Sequence, residues 1–216
     1  ITMVMQTSET ILLLMPDAGR RAACFAALAD RPQRIVRGFG ESDDVADVIG
    51  GIEQACLVID KAAIRQSGFR ALTASLEHRP AIFSLALVPG LDADDAMTLL
   101  TCPRCEIVRS DDVAAAAQRA EALLPVVATV GQRWRAEQAA RLALARLSPR
   151  EATVLAGLAG GQTSKDIARV LGVSPRTIEV HRASIMRRTG SDTLAALLRL
   201  YFLAELPVTP LLARAA

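Results

Sequence analysis

Residues 147–190 read LSPREATVLAGLAGGQTSKDIARVLGVSPRTIEVHRASIMRRTG, and the punctuation of this stretch decides how the chain is organised. Ser148-Pro149-Arg150-Glu151 has the form of a capping box. The serine oxygen accepts from the backbone N–H three residues on, the glutamate reaches back, and the proline sits at the first helical position, where it has no hydrogen bond to lose. A first helix then runs through Ala152, Val154, Leu155 and Leu158 to Gly160-Gly161, which can take positive φ. Thr163 or Ser164 starts a second helix, with Ile167, Ala168 and Leu171 inward and Gly172 at its end. After the tight link Gly172-Val173-Ser174, a third helix begins with Ser174 as N-cap and Pro175 in the first turn.

Two short helices joined by a tight glycine turn, the second capped and basic, describe a helix-turn-helix. On a helical wheel the third helix gathers Ile178, His181 and Ile185 on one side, and Arg176, Val180, Ala183, Ser184 and Arg187 on the other. The first set suits a core and the second a DNA major groove. Arg176, Thr177 and Arg187 are placed for phosphates or guanine edges, and Val180 and Ala183 for a thymine methyl. Glu179 either accepts from a cytosine amino group or pairs with Arg182 one turn on. Lys165, at the start of the second helix, suits a backbone phosphate. His181 reads as a packed or phosphate-bonding histidine, and Arg182 as a DNA contact or a structural cation.

The opening L-S-P-R-E, the Gly-x-x-x-K-x-I-A step and S-P-R-T-I-E-V-H-R resemble the LuxR/FixJ-type DNA-binding domain without a gap. The resemblance implies an all-α, four-helix domain over 147–216. Its fourth helix, Ser191 to Leu203, implies a homodimer contact through the stripe Leu194, Leu197, Leu198 and Tyr201. Double-stranded DNA is then the expected partner, joined by a second copy of the chain and by a sensor kinase or another regulator. A module that acts only by binding another protein is the alternative.

Upstream, apolar runs alternate with helical stretches. TILLLM at 10–15, Ile35-Val36, ACLVI at 55–59, 80–88 and 106–108 read as strands. Helices are expected over 17–29, 45–53, 69–78, 92–100 and 111–124. This alternation predicts an α/β domain over 1–125, a doubly wound parallel five-stranded sheet covered on both faces. Pro125 is expected to break the last of these helices, leaving a connecting helix within 126–146.

Such a domain before a LuxR-type domain resembles a response-regulator receiver. The resemblance implies a strand-end Asp that accepts a phosphoryl group, an acidic pair holding Mg²⁺, a Ser or Thr ending the fourth strand, and a Lys ending the fifth. Asp60 matches the acceptor position. Met15-Pro16-Asp17 supplies one acid where two are expected, Ser84 lies inside IFSLA, Arg109-Ser110 stands for Lys-Pro, and Lys61-Ala62-Ala63-Ile64 lacks the usual Met-Pro turn. Arginine keeps the charge of lysine but not its compact ammonium. The expectation is a degenerate receiver outside ordinary aspartyl phosphorylation. The opposing reading keeps Asp60 as phosphoacceptor, with Asp17 as metal ligand and Arg109 for the lysine.

Cys102-Pro103-Arg104-Cys105 is a C-x-x-C, read as a redox pair, half a zinc site or two ordinary loop residues. Cys24 and Cys56 read as core. No metal site and no cofactor is expected, and with no phosphate-binding glycine loop or Ser-His-Asp set the chain reads as a non-enzyme. The net charge over 216 residues is +2, so general polyanion binding is excluded. Charge is instead segregated: 41–60 holds acids and no base, whereas arginine and lysine outnumber acids over 133–188. With 51% apolar residues a proper core is available, and 3% aromatics favours helices over an all-β fold. No membrane-length apolar run and no signal peptide is read, so a cytoplasmic location is expected, with Met3 or Met5 as native start.

Overall fold

The structure is a computed structural model that describes residues 9–205, so the expectation about Met3 or Met5 lies outside the described residues. Contacts divide the chain into two compact units, which meet between Gln132 and Arg133.

The first unit is the expected doubly wound sheet. Strands β1 (Glu9–Leu14), β2 (Arg34–Phe39), β3 (Ala55–Asp60), β4 (Ile82–Leu87) and β5 (Cys105–Val108) are all parallel, in the order β2-β1-β3-β4-β5. Central strands β3 and β4 are buried at every position, as their unbroken apolar runs require. β2 is an edge strand longer than Ile35-Val36 alone suggests, and it continues through the exposed Arg37 and Gly38, which break the apolar run. Helices α2 (Ser42–Ile49), α4 (Phe69–Glu77) and α5 (Ala93–Leu100) supply Val45, Ile49, Leu72, Leu76 and Leu99 to one core layer, against Leu12, Leu57 and Ile82. On the opposite face α1 (Ala18–Leu28) and α6 (Val113–Leu144) pack Cys24, Leu28, Ala116, Ala120 and Leu123 against Ile11, Leu13, Cys56 and Val58. A single turn, α3 (Lys61–Ile64), follows Asp60 directly and was not expected.

Helix α6 corrects two sequence expectations. It runs unbroken through Pro125, so there is neither an end at Leu124 nor a separate connecting helix over 126–146. Proline removes one hydrogen bond. Buried Leu123, Leu124, Val127 and Val130 on both sides of it keep the helix going, while the ring itself stays exposed. Pro125→Ala should therefore restore the bond without losing packing, and raise stability by about 2 kcal/mol in chemical denaturation. The same helix is long and apolar enough, by length and composition, to cross a bilayer, where the sequence reading finds no such run. Its alanines account for the difference. They count as apolar, yet Ala116, Ala117 and Ala120 are spent on close packing against the sheet.

The second unit holds α7 (Pro149–Ala159), α8 (Ser164–Leu171), α9 (Pro175–Thr189) and α10 (Leu194–Glu205) around Val154, Leu155, Leu158, Ile167, Ala168, Ile178, Ile185 and Leu197. Gly172 and Gly190, with φ of 65° and 66°, close α8 and α9 in the left-handed region, which a side chain would oppose.

Candidate nucleic-acid interface

Three caps set the position of α9. Ser148 and Glu151 form the reciprocal box at α7, Thr163 and Asp166 form another at α8, and Ser174 accepts from the Thr177 N–H at 3.1 Å. Beneath α9, Ile178 and Ile185 are fully buried. His181, grouped with them by the wheel, is half-buried, and so is Thr177. On the outer side Arg176, Val180, Ala183 and Arg187 are exposed, Val180 by 63%. Lys165, Arg176 and Arg187 are exposed and form no ion pair among the described residues, so their charge remains available to an anion.

Ser184, assigned to the outer face, and Glu179 beside it both engage partners within the domain. The Ser184 hydroxyl donates to Glu151 Oε1 at 2.8 Å and is half-buried. Glu179 accepts from Ser164 Oγ at 2.6 Å and twice from Arg182 at 3.1 Å, tying the start of α8 to α9. The Ser164 hydroxyl, with Arg182 nearby, holds the Glu179 carboxyl below the usual range. Of the two options for Glu179, the pairing with Arg182 is the one present.

Glu151 is the hinge-pin that the sequence shows only as a cap. Buried at 4% exposure, it accepts from the Ser148 N–H at 2.9 Å and from Ser184, and pairs with Arg188 at 3.4 Å. These partners, the Ser148 backbone first, hold its pKa at about 2. The α10 stripe is also corrected: Leu197 is buried in the domain core, and Leu194, Leu198 and Tyr201 pack against it. Ala195, Ala196, Arg199, Phe202 and Glu205 are the exposed positions of that helix.

In the α/β unit the switch point of the strand order lies between β1 and β3, where doubly wound sheets place their sites. Asp17 stands there as the N-cap of α1, accepting from the Arg20 N–H at 2.8 Å. Asp60, 6% exposed, receives the Arg20 Nε at 2.9 Å, and the same guanidinium reaches Asp111 at 2.8 Å. Arg109 is exposed, with no ion pair among the described residues. Ser84 lies in mid-strand, opposite Leu57 and Cys105, and not at the end of β4.

Residues 145–200 match the family described as GerE, bacterial regulatory proteins of the luxR family. Over 200 residues the chain is 30% identical to the transcriptional regulatory protein FixJ of Bradyrhizobium diazoefficiens, covering 91% of this chain and 96% of that one. The chain belongs to the FixJ family of LuxR-type transcriptional regulators. A FixJ from Azorhizobium caulinodans is 33% identical over 157 residues, covering 71% and 73% of the two chains. The solved structure of the response regulator StyR shares the fold, with a TM-score of 0.66 over 91% of this chain and 99% of that one at 21% identity.

In this FixJ-family member the carboxylates at the switch point are already engaged. A hard cation wants several convergent carboxylate oxygens. Here Asp17 is committed to a helix cap, a guanidinium lies against Asp60, and no cluster of three or more acidic, histidine or cysteine side chains suited to a metal occurs among the described residues. Sequence reasoning missed Arg20. It sits one helical turn after Asp17 on a helix whose other arginine, Arg21, is its neighbour, and no local pattern says which of the two turns toward Asp60.

Proposed function

We propose that this FixJ-family regulator binds operator DNA sequence-specifically as a homodimer, and that its receiver works outside ordinary aspartyl phosphorylation. The exposed, unpaired cationic face of α9 with Lys165 carries the DNA reading. Lys165, Arg176 and Arg187 replace counterions on phosphates, while Val180 and Ala183, helped by Arg176, meet base edges. Glu179, Arg182 and Ser184 hold α9 in place, and Thr177 and His181 flank the groove. The α/β part over 1–125 is the regulatory domain, and 147–216 the DNA-binding domain. A second copy would meet the exposed Ala195, Arg199 and Phe202 of α10.

The Arg20 contact with Asp60 supports the receiver reading, because it already supplies positive charge where a metal-assisted phosphoryl transfer would need a cation. Incubation with a radiolabelled small-molecule phosphoryl donor and Mg²⁺ should label neither wild type nor Asp60→Asn. Label in the wild type that disappears in Asp60→Asn would overturn this reading. Arg20→Ala leaves Asp60 nearly buried without its counter-ion, and should lower stability by about 2 kcal/mol in urea titration. In mapping of bound genomic DNA, Asp60→Asn is expected to occupy the same sites as wild type.

A further inference from the structure

The link from α5 to β5 is a turn made of Cys102-Pro103-Arg104-Cys105. Proline suits the second position of such a turn, and the third needs positive φ, usually glycine or asparagine. Arg104 takes that place with φ 52°, alone among the described non-glycine residues. What holds it there is its own side chain, which donates to the carbonyls of Ile82 at 3.1 Å, Leu76 at 2.6 Å and Arg79 at 2.9 Å. Closing the turn brings its first and fourth residues together, within the separation that a disulfide spans.

All four cysteines are free thiols, and Cys102 and Cys105 line one groove. Behind them Ser84, 1% exposed and directly opposite Cys105 in the sheet, has a buried hydroxyl with no hydrogen-bond partner among the described residues. In front is a groove of about 750 Å³ whose lining includes Leu100, Cys102, Cys105, Ile107 and Arg119. The pair is therefore reached from solvent through the groove, unlike Cys24 and Cys56, which are sealed in the sheet core.

We propose that Cys102 and Cys105 are a reversible dithiol–disulfide site that exchanges with a low-molecular-weight disulfide, with Cys102 as the attacking thiol. The neighbouring Cys105 thiol and the Arg104 charge favour the Cys102 thiolate over the effect of burial, while that neighbour and burial push Cys105 up. The Cys102 thiolate attacks one sulfur of the reagent RSSR and expels RS⁻, which takes up a proton. Cys105 then loses its proton to solvent, attacks the Cys102 sulfur of the mixed disulfide and expels the second RS⁻. The protein loses two electrons and two protons, and RSSR becomes two RSH. The product covalently fastens the end of α5 to the start of β5.

The test equilibrates the full chain with glutathione and its disulfide at graded ratios, traps free thiols by alkylation and maps the peptides. A Cys102–Cys105 link that forms with a single midpoint and reverses with excess thiol is the expected result, with Cys24 and Cys56 alkylated only after unfolding. Cys105→Ser should stop at a glutathione adduct on Cys102. The proposal fails if the pair stays reduced in the most oxidising mixture, if both cysteines carry separate adducts without a link, or if Cys105 takes the adduct first. Alkylation of the wild type, with Cys102 faster than Cys105, decides the order of attack even if a serine variant does not fold.

Discussion

With Lys165, Arg176 and Arg187 all changed to alanine, affinity for an operator duplex should fall about 10³-fold at physiological salt, roughly tenfold for each lost contact. The slope of log K against log salt should become shallower by about 2.7, which is three phosphate neutralisations at about 0.9 each. Stability is expected to change little, because all three side chains are exposed and form no ion pair among the described residues. Val180→Ala should act differently. It alters the rank order of operator sequences and leaves non-specific affinity and the salt slope unchanged, since a 63% exposed valine carries no charge and reads shape and methyl groups. Fluorescence anisotropy on one labelled operator and one scrambled duplex, over a salt series, separates the two kinds of loss. An unaltered slope in the triple variant would remove these cations from the phosphate backbone.

The distinction between outward and inward residues on α9 was only partly legible beforehand. Periodicity placed Ile178 and Ile185 inside and Arg176, Val180, Ala183 and Arg187 outside, since a helix separates its faces by spacing alone. Ser184 and Glu179 escaped that logic. Each sits near the boundary of the two faces, and its orientation depends on a partner distant in sequence: Glu151, 33 residues away, and Ser164, 15 away. The caps at Ser148 and Ser174 were readable for the opposite reason, because donor and acceptor lie three residues apart, whereas the second start was left between Thr163 and Ser164 and the structure gives it to Thr163. The same division runs through the α/β unit. Strand runs and the position of Asp60 are local patterns. Arg20 beside Asp60, and a helix that passes through Pro125, are outcomes of tertiary packing that override a local preference. On α10 the apolar stripe was legible, but one stripe serves a core or a partner equally well, and here the core claims it.

Glu151→Ala is expected to be the most destabilising single change in the C-terminal unit, at about 3 kcal/mol, because it strands several groups at once. The Ser148 N–H loses its cap, the Ser184 hydroxyl loses its acceptor, and Arg188 loses its carboxylate partner. For a unit of this size that corresponds to a drop of about 12–20 °C in Tm. Trp134, the single tryptophan, belongs to the C-terminal unit, so its fluorescence follows this unfolding. The pH dependence has a definite sign. The folded-state pKa of Glu151, about 2, lies below the ordinary 4.5, so its contribution is complete above about pH 4.5 and disappears as pH falls from there through about 2. Asp95, held at about 2 by Arg65 and Lys61, titrates in the same window, but it belongs to the N-terminal unit and is silent at Trp134. Glu151→Gln should therefore flatten the acid limb of the tryptophan-detected melting curve while far-ultraviolet melting retains one. Glu179 and Asp166, also held below the usual carboxylate range in this unit, keep part of that limb, and a limb wholly unchanged at Trp134 would assign it to them and not to Glu151. DNA affinity at neutral pH provides the functional counterpart: with α9 no longer pinned through Ser184 and Arg188, Glu151→Gln should bind operator about tenfold more weakly, although it touches no nucleotide.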